Sequence, residues 1–185
     1  MKALMAKRAM GSRGDETMKV YLARNPNSQF KTRDDIANHP DMVKAYPPNK
    51  LDAWKNPRPP ASADKVLEAI NARETLALNF AKVIGDNKLD ALVHKSVEHA
   101  PTLIKDGVNP PYVGPRGIAS INTFIIYSST ITVPSGFTAD NLPVGITFLG
   151  LPFTEPTMIK LAYAYEQATH HRRPPALTPP LTAKK

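Results

Sequence analysis

Residues 129–150 read STITVPSGFTADNLPVGITFLG, two short apolar runs around a polar turn. Ile131, Val133, Val144, Ile146 and Phe148 fall on both faces of the runs, and Pro134, Gly136, Pro143 and Gly145 punctuate them. A lone hairpin is marginal in water, and one that is apolar on both faces needs cover on both sides. This segment therefore demands a larger sheet, packed against helices.

Helices are available to cover it. Met18, Tyr21 and Leu22 have i, i+3, i+4 spacing within a helical stretch over 1–24, which Gly11 and Gly14 interrupt and Pro26 ends. Thr32 suits the cap of a short helix at 33–38, with Asp34 and Asp35 in its first turn. From Pro40 to Ala61 the chain is rich in Pro, Asn and charge and reads as irregular, anchored by Trp54. Ser62 then caps the clearest helix, in which Val66, Leu67, Ile70, Leu76, Phe80, Val83 and Ile84 recur at helical spacing before Gly85 supplies a stop. Residues 89–93, LDALV, suit a buried strand. Residues 100–118 read as a Pro/Gly loop, and 119–127 satisfy neither helical nor strand periodicity well. A last helix is capped by Thr154, tolerates Pro156 in its first turn, and shares Met158, Leu161, Ala162, Tyr165 and Ala168 on one face. The basic residues His170 to Arg173 complement its dipole, and a proline-rich tail follows. The order of elements points to an α/β or α+β arrangement with helices over an apolar sheet.

Composition narrows the partners. The net charge of +8 suggests nucleic acid. The basic residues are scattered, however, and no basic–aromatic signature accompanies them, so nucleic acid is not expected. The chain has no cysteine, which rules out disulfides and thiolate metal sites and fits a cytoplasmic protein. No apolar run reaches the ~20 residues of a membrane helix. The basic N-terminus reads better as a helix start than as a transit peptide, and Lys7 and Arg8 break up any secretory signal.

Five constellations invite a chemical reading. Ser128-Ser129 and Lys95-Ser96 could offer a nucleophile, which needs a base and an oxyanion hole. No glycine follows the serine pair until Gly136, so its serines read as structural. His94 and His99 are five apart with Glu98 beside the second, which is not the zinc-protease spacing. The GSRG at 11–14 lacks the rest of a phosphate loop, and Asp34-Asp35 read as helix-start carboxylates. No self-sufficient active site emerges, and neither metal nor cofactor is expected.

The segments ITVPSGFT, LPVGITFLG and EPTMIKLAYAYEQATHHRRPP resemble the C-terminal end of amidase-signature hydrolases. The matching positions are Val133, Pro134, Gly136 and Phe137, then Leu142 to Gly145, then Tyr165, Glu166, Gln167 and Thr169. The likeness is dense over 130–175 and continues more loosely to residue 16, through Leu89 to Val93 and Ala72-Arg73-Glu74. It implies an α/β, partial amidase-signature fold: a short mixed sheet with covering helices, with the N-terminal catalytic half absent. Residues 1–61 would form a helical and irregular Pro-rich segment, 62–178 the amidase-like module, and 179–185 a tail.

Such enzymes hydrolyse amide bonds with a serine, a second serine in a cis peptide and a lysine, carried upstream in a glycine- and serine-rich half. Nothing here matches those elements, so no catalytic residue is carried over. The family has Gly-hydrophobic-Pro-Ala before the Ile-Thr-Val-Pro strand, where this chain has Tyr127, Ser128, Ser129 and Thr130. That stretch lies near the family's substrate pocket, which makes Tyr127 and Ser128 the candidate substrate-binding residues. The resemblance implies the C-terminal part of an amidase, with an N-terminal amidase polypeptide or a second copy as partner and a small amide as substrate of the complete enzyme. The alternative is a non-catalytic interaction module derived from the same fold.

Overall fold

The computed structural model describes residues 2–7, 14–56, 59–97, 99–114, 127–175 and 178. The ambiguous stretch 119–127, apart from Tyr127, and the tail at 179–185 lie outside the described residues. The described elements, in chain order, are α1 (Lys2–Ala6), α2 (Gly14–Arg24), α3 (Arg33–Ala37), α4 (Pro40–Ala45), α5 (Pro48–Lys55), α6 (Ala63–Asp86), β1 (Leu92–Lys95), α7 (Ile104–Val108), β2 (Thr130–Phe137), β3 (Pro143–Leu149) and α8 (Glu155–Thr169). They fall into two compact units, Met1–Leu76 with Thr102–Pro115, and Ala77–Pro101 with Arg116–Lys185.

In the first unit Leu22, Ala37, Ala69, Ala72 and Leu76 are buried. Thr32 caps α3 as its sequence predicts, in a reciprocal capping box. Its Oγ1 accepts from the Asp35 N–H at 3.1 Å, and Asp35 Oδ2 accepts from the Thr32 N–H at 2.8 Å. The stretch 40–61 departs from the irregular reading. Pro40 and Pro48 occupy the first turns of α4 and α5, where the missing N–H costs nothing and the fixed φ is already helical. Trp54 does anchor this region: the Arg33 guanidinium lies 4.5 Å from its ring centroid, and Arg33 Nε donates to the Trp54 carbonyl at 2.7 Å. Part of the expected loop after residue 100 is also ordered, as α7, and Thr102 Oγ1 donates to the Gly114 carbonyl at 2.9 Å.

The long helix runs beyond its predicted stop. Gly85 lies inside α6, and the left-handed residue that ends the helix is Lys88, with φ 50°. The Leu89 N–H reaches the Ile84 carbonyl at 2.9 Å and the Lys88 N–H reaches that of Gly85 at 3.1 Å, a Schellman pair.

The second unit holds the sheet, in the order β1-β3-β2. The short sheet with helical cover is as expected, but both of its described pairings are antiparallel, where the resemblance implies a mixed sheet. A tight turn joins β2 to β3 and requires that sense. Asn141 takes φ 63° there, and the Thr138 N–H donates to the Leu142 carbonyl at 2.9 Å. Ser135 is the extra residue of a bulge between Pro134 and Gly136, and Gly136 has φ 130°, a conformation open in practice to glycine alone.

The strand expected at 89–93 lies at 92–95. It is a half-exposed edge rather than a buried strand, because its side chains alternate between partial cover and solvent. Helix α8 packs on β2 and β3. Met158 and Ala162 are buried there and Tyr165 meets Phe148 edge-on at 6.0 Å, whereas Ala168, placed on the same face from spacing, is exposed. After α8 the chain turns at His170, φ 49°, and runs back toward the hairpin tip. Arg173 covers the Phe137 ring at 3.5 Å and bonds Asn141. The basic run thus ties the chain to the hairpin, and none of it lies in the last helical turn.

Candidate functional site

The chemistry-bearing residues of the second unit gather at the entry to β2 and across the middle of the sheet. Tyr127 holds φ 51° and is 64% exposed, whereas Ser128 and Ser129 are 2% and 7% exposed. Alternation along the chain sends the two serines in opposite directions. Ser129 Oγ donates to Glu155 Oε1 at 2.8 Å and accepts from the Thr154 N–H at 3.2 Å, while the Gly150 N–H donates to the Ser129 carbonyl at 2.9 Å. Ser129 therefore ties down the backbone of Thr154 and the first-turn carboxylate Glu155, while the side-chain cap that the sequence assigns to Thr154 is not made. Thr154 sits at the N-cap without a side-chain cap bond, because its own hydroxyl donates to the Leu151 carbonyl at 2.6 Å.

This is a poor nucleophile arrangement. The Ser129 proton points at a carboxylate, a weaker base toward a serine hydroxyl than the imidazole or amine that activates such nucleophiles. The adjacent Thr154 N–H is already bonded to the serine oxygen itself and is not free to hold an oxyanion. Ser128 Oγ is buried and has no hydrogen-bond partner.

Three hydroxyls cross the sheet in a row. Ser96 Oγ and Thr132 Oγ1 each lie 2.8 Å from Thr147 Oγ1, and Thr147 is 3% exposed. Lys95 and Ser96 are neighbours in extended chain and point to opposite faces, so that pair brings no base to its serine. His94 Nδ1 lies 2.9 Å from the Lys95 carbonyl, which can only accept, so Nδ1 carries a proton and Nε2 is the other, buried and unpartnered nitrogen. His99 is exposed, and Glu98 lies outside the described residues. Among the described residues no group of three or more His, Cys, Asp or Glu side chains could hold a metal ion. The motif at 11–14 lies, apart from its last residue, outside the described residues.

Elsewhere Asp34 and Asp35 sit in the first turn of α3. The Asp35 carboxylate accepts from the backbone N–H groups of Lys31 and Thr32, which hold its pKa below the ordinary aspartate value. That is the chemistry of a cap. Neither the Ser129–Glu155 bond nor the hydroxyl row is visible in the sequence. Both join residues far apart in the chain, and only the serine and threonine at alternate strand positions hint at the row.

The second unit is thus an antiparallel sheet backed by a helix, with Ser129 and Glu155 bonded to each other where the two meet. Comparison with known proteins identifies the fold. No protein-family model matches the sequence. A probable amidase of Arabidopsis thaliana is 34% identical over 113 residues, 60% of this chain and 18% of the relative. A glutamyl-tRNA(Gln) amidotransferase subunit of Methanosarcina barkeri is 32% identical over 114 residues, 59% of this chain and 23% of that protein. Among solved structures, an amidase family protein from Bacillus anthracis superposes with a TM-score of 0.63 at 20% identity, over 88% of this chain and 29% of its own. A peptide amidase from Stenotrophomonas maltophilia does so with a TM-score of 0.58 at 23% identity, over 87% and 32%.

In sequence and fold the chain is similar to amidases, and it spans about a fifth of the length of the curated relatives it matches. Its likeness in sequence and fold is to the C-terminal portion of amidase-signature hydrolases.

Proposed function

We propose that the chain completes the fold and the substrate-pocket rim of an amidase whose two serines and lysine are supplied by another polypeptide segment, and that it does not hydrolyse amides by itself. In this reading residues 62–178 are the amidase-like module and the cytoplasm is its setting. The observation that carries it is the state of the serines at the β2 entry. Ser129 is engaged by Glu155 and the Thr154 N–H at the start of α8, and Ser128 is buried without a base. Tyr127, exposed beside them, is the residue proposed to reach substrate in the complete enzyme, with Ser128 beneath it.

The test is turnover of a small primary amide followed by ammonia release. The chain is assayed alone and with the N-terminal part of the Arabidopsis amidase, cut where similarity to this chain begins. Ammonia is expected only from the mixture, and Tyr127→Ala should raise KM there more than it lowers kcat. Amide hydrolysis by the purified chain alone would overturn the assignment.

A further inference from the structure

We propose that Ser129 and Glu155 are positioning residues, which together hold Tyr127 at the pocket rim and so act on substrate affinity rather than on turnover. This rests on the proposed function, in which Tyr127 reaches the substrate, and adds which groups of this chain keep it there.

Three elements meet at Ser129. Its carbonyl accepts from the Gly150 N–H at the exit of β3, and its hydroxyl joins the Thr154 N–H and the Glu155 carboxylate at the start of α8. The hydroxyl gives its one proton to Glu155 and accepts from Thr154, so its orientation is set from both sides. The groups that receive it are fixed in turn. The Thr154 hydroxyl donates to the Leu151 carbonyl at 2.6 Å, and a Cβ on Gly150 would stand 2.5 Å from Thr154 Oγ1, which leaves the turn at 150–154 little room to shift. Ser129 is buried, where a lost partner is costly to leave unreplaced.

Tyr127 lies two residues before this junction. Its φ of 51° is in the left-handed region, where a Cβ is crowded, and a non-glycine residue stays there when its surroundings impose it. Burial of the ring supplies little of that constraint, because most of the side chain is exposed. Ser128, between the two, is buried, but its hydroxyl bonds nothing. The first side-chain anchor after Tyr127 is therefore Ser129, tied to Glu155 across 26 residues of chain. Breaking that tie frees the strand entry, lets Tyr127 relax toward an ordinary φ and turns its ring off the rim. A binding group displaced by about 1 Å loses much of its effect. A contact made equally to substrate and transition state shows in KM and not in kcat.

The experiment uses the same mixture of the full chain with the N-terminal part of the Arabidopsis amidase, followed by ammonia release. It also reads the backbone chemical shifts of Tyr127 by NMR in the chain alone. Ser129→Ala and Glu155→Ala should each raise KM about threefold to tenfold with kcat within about twofold of the parent. The double variant should raise KM no further than the larger single effect, since both changes break one device. Ser129→Thr keeps the hydroxyl and should restore KM. In the chain alone, Ser129→Ala should move the Tyr127 signals out of the left-handed range. Ala162→Gly loosens buried packing of α8 away from the tie, and should lower the urea midpoint while leaving KM alone. If Ser129→Ala does not fold, Glu155→Ala, at an exposed position, carries both comparisons. No ammonia from the unaltered mixture brings down the proposed function and this inference with it. With ammonia released, the inference alone falls if KM is unmoved by the alanine variants, if Ala162→Gly raises it as much, or if the Tyr127 signals stay where they are.

Discussion

At the scale of single residues, the structure shows several polar groups working at a cost. Lys88 ends α6 in the left-handed region, where a Cβ is penalised. Lys88→Gly should therefore stabilise the chain by about 1 kcal/mol, read as a rise in the urea midpoint with an unchanged slope. Ser128 buries a hydroxyl with no partner. Ser128→Ala should leave stability unchanged or raise it by up to about 1 kcal/mol, because an unsatisfied buried hydroxyl is removed. A clear loss of stability would mean that the hydroxyl is bonded after all. Asp35 works in the opposite sense. Its pKa is lowered in the folded chain by the Lys31 and Thr32 N–H groups, so its contribution is present above the unfolded aspartate pKa and is lost as pH falls through the folded one. A carboxyl titration followed by NMR should place Asp35 below an ordinary aspartate, and the Thr32 N–H should lose protection only under more acidic conditions. This cap is legible in the sequence because all of its parts lie within five residues. Ser129 and Glu155 are not, because they lie 26 residues apart and only packing brings them together.

At the scale of elements, legibility follows periodicity. The hairpin and the last helix are readable because Ile131, Val133, Val144 and Phe148 mark the strands while Met158, Leu161 and Tyr165 recur at helical spacing. The stretch 40–55 is helical despite its prolines, since Pro40 and Pro48 each begin a helix, and proline content alone does not tell a start from a break. The apolar run LDALV points to the strand three residues too early, because it includes the end of the Schellman turn at Leu89. How the elements join can be tested at Gly150. A Cβ there would stand 2.5 Å from Thr154 Oγ1 and 2.6 Å from Met158 Cε, so β3 approaches the start of α8 as closely as a backbone can. Gly150→Ala should cost about 1–3 kcal/mol, measured by thermal or urea unfolding, as overpacking does. A variant as stable as the parent would mean that α8 can shift off the sheet freely.

At the scale of the whole molecule, the sequence discloses what the fold belongs to but not how its surface is left. The hydrophobic hairpin implies cover from elsewhere. Which side lacks it depends on the register, which hydrophobic pattern alone does not fix when both faces are apolar. The described surface carries Val93, Ile104, Phe153, Ile159 and Tyr163 at 52%, 83%, 92%, 59% and 63% exposure. So much exposed apolar surface predicts self-association that grows with concentration and is suppressed by the complementary amidase segment, a trend sedimentation velocity would follow. A chain that sediments as a monomer at every concentration would show these residues to be an ordinary surface.

The return of the chain at His170 has one more consequence. Arg173 fastens the C-terminal run to Phe137 and Asn141, so the ends of the hairpin are held without the peptide bonds of their own turn. A protease that nicked the exposed loop at Ala139 or Asp140 would leave two pieces clasped together, and the wound would show only when the fragments were pulled apart in denaturant.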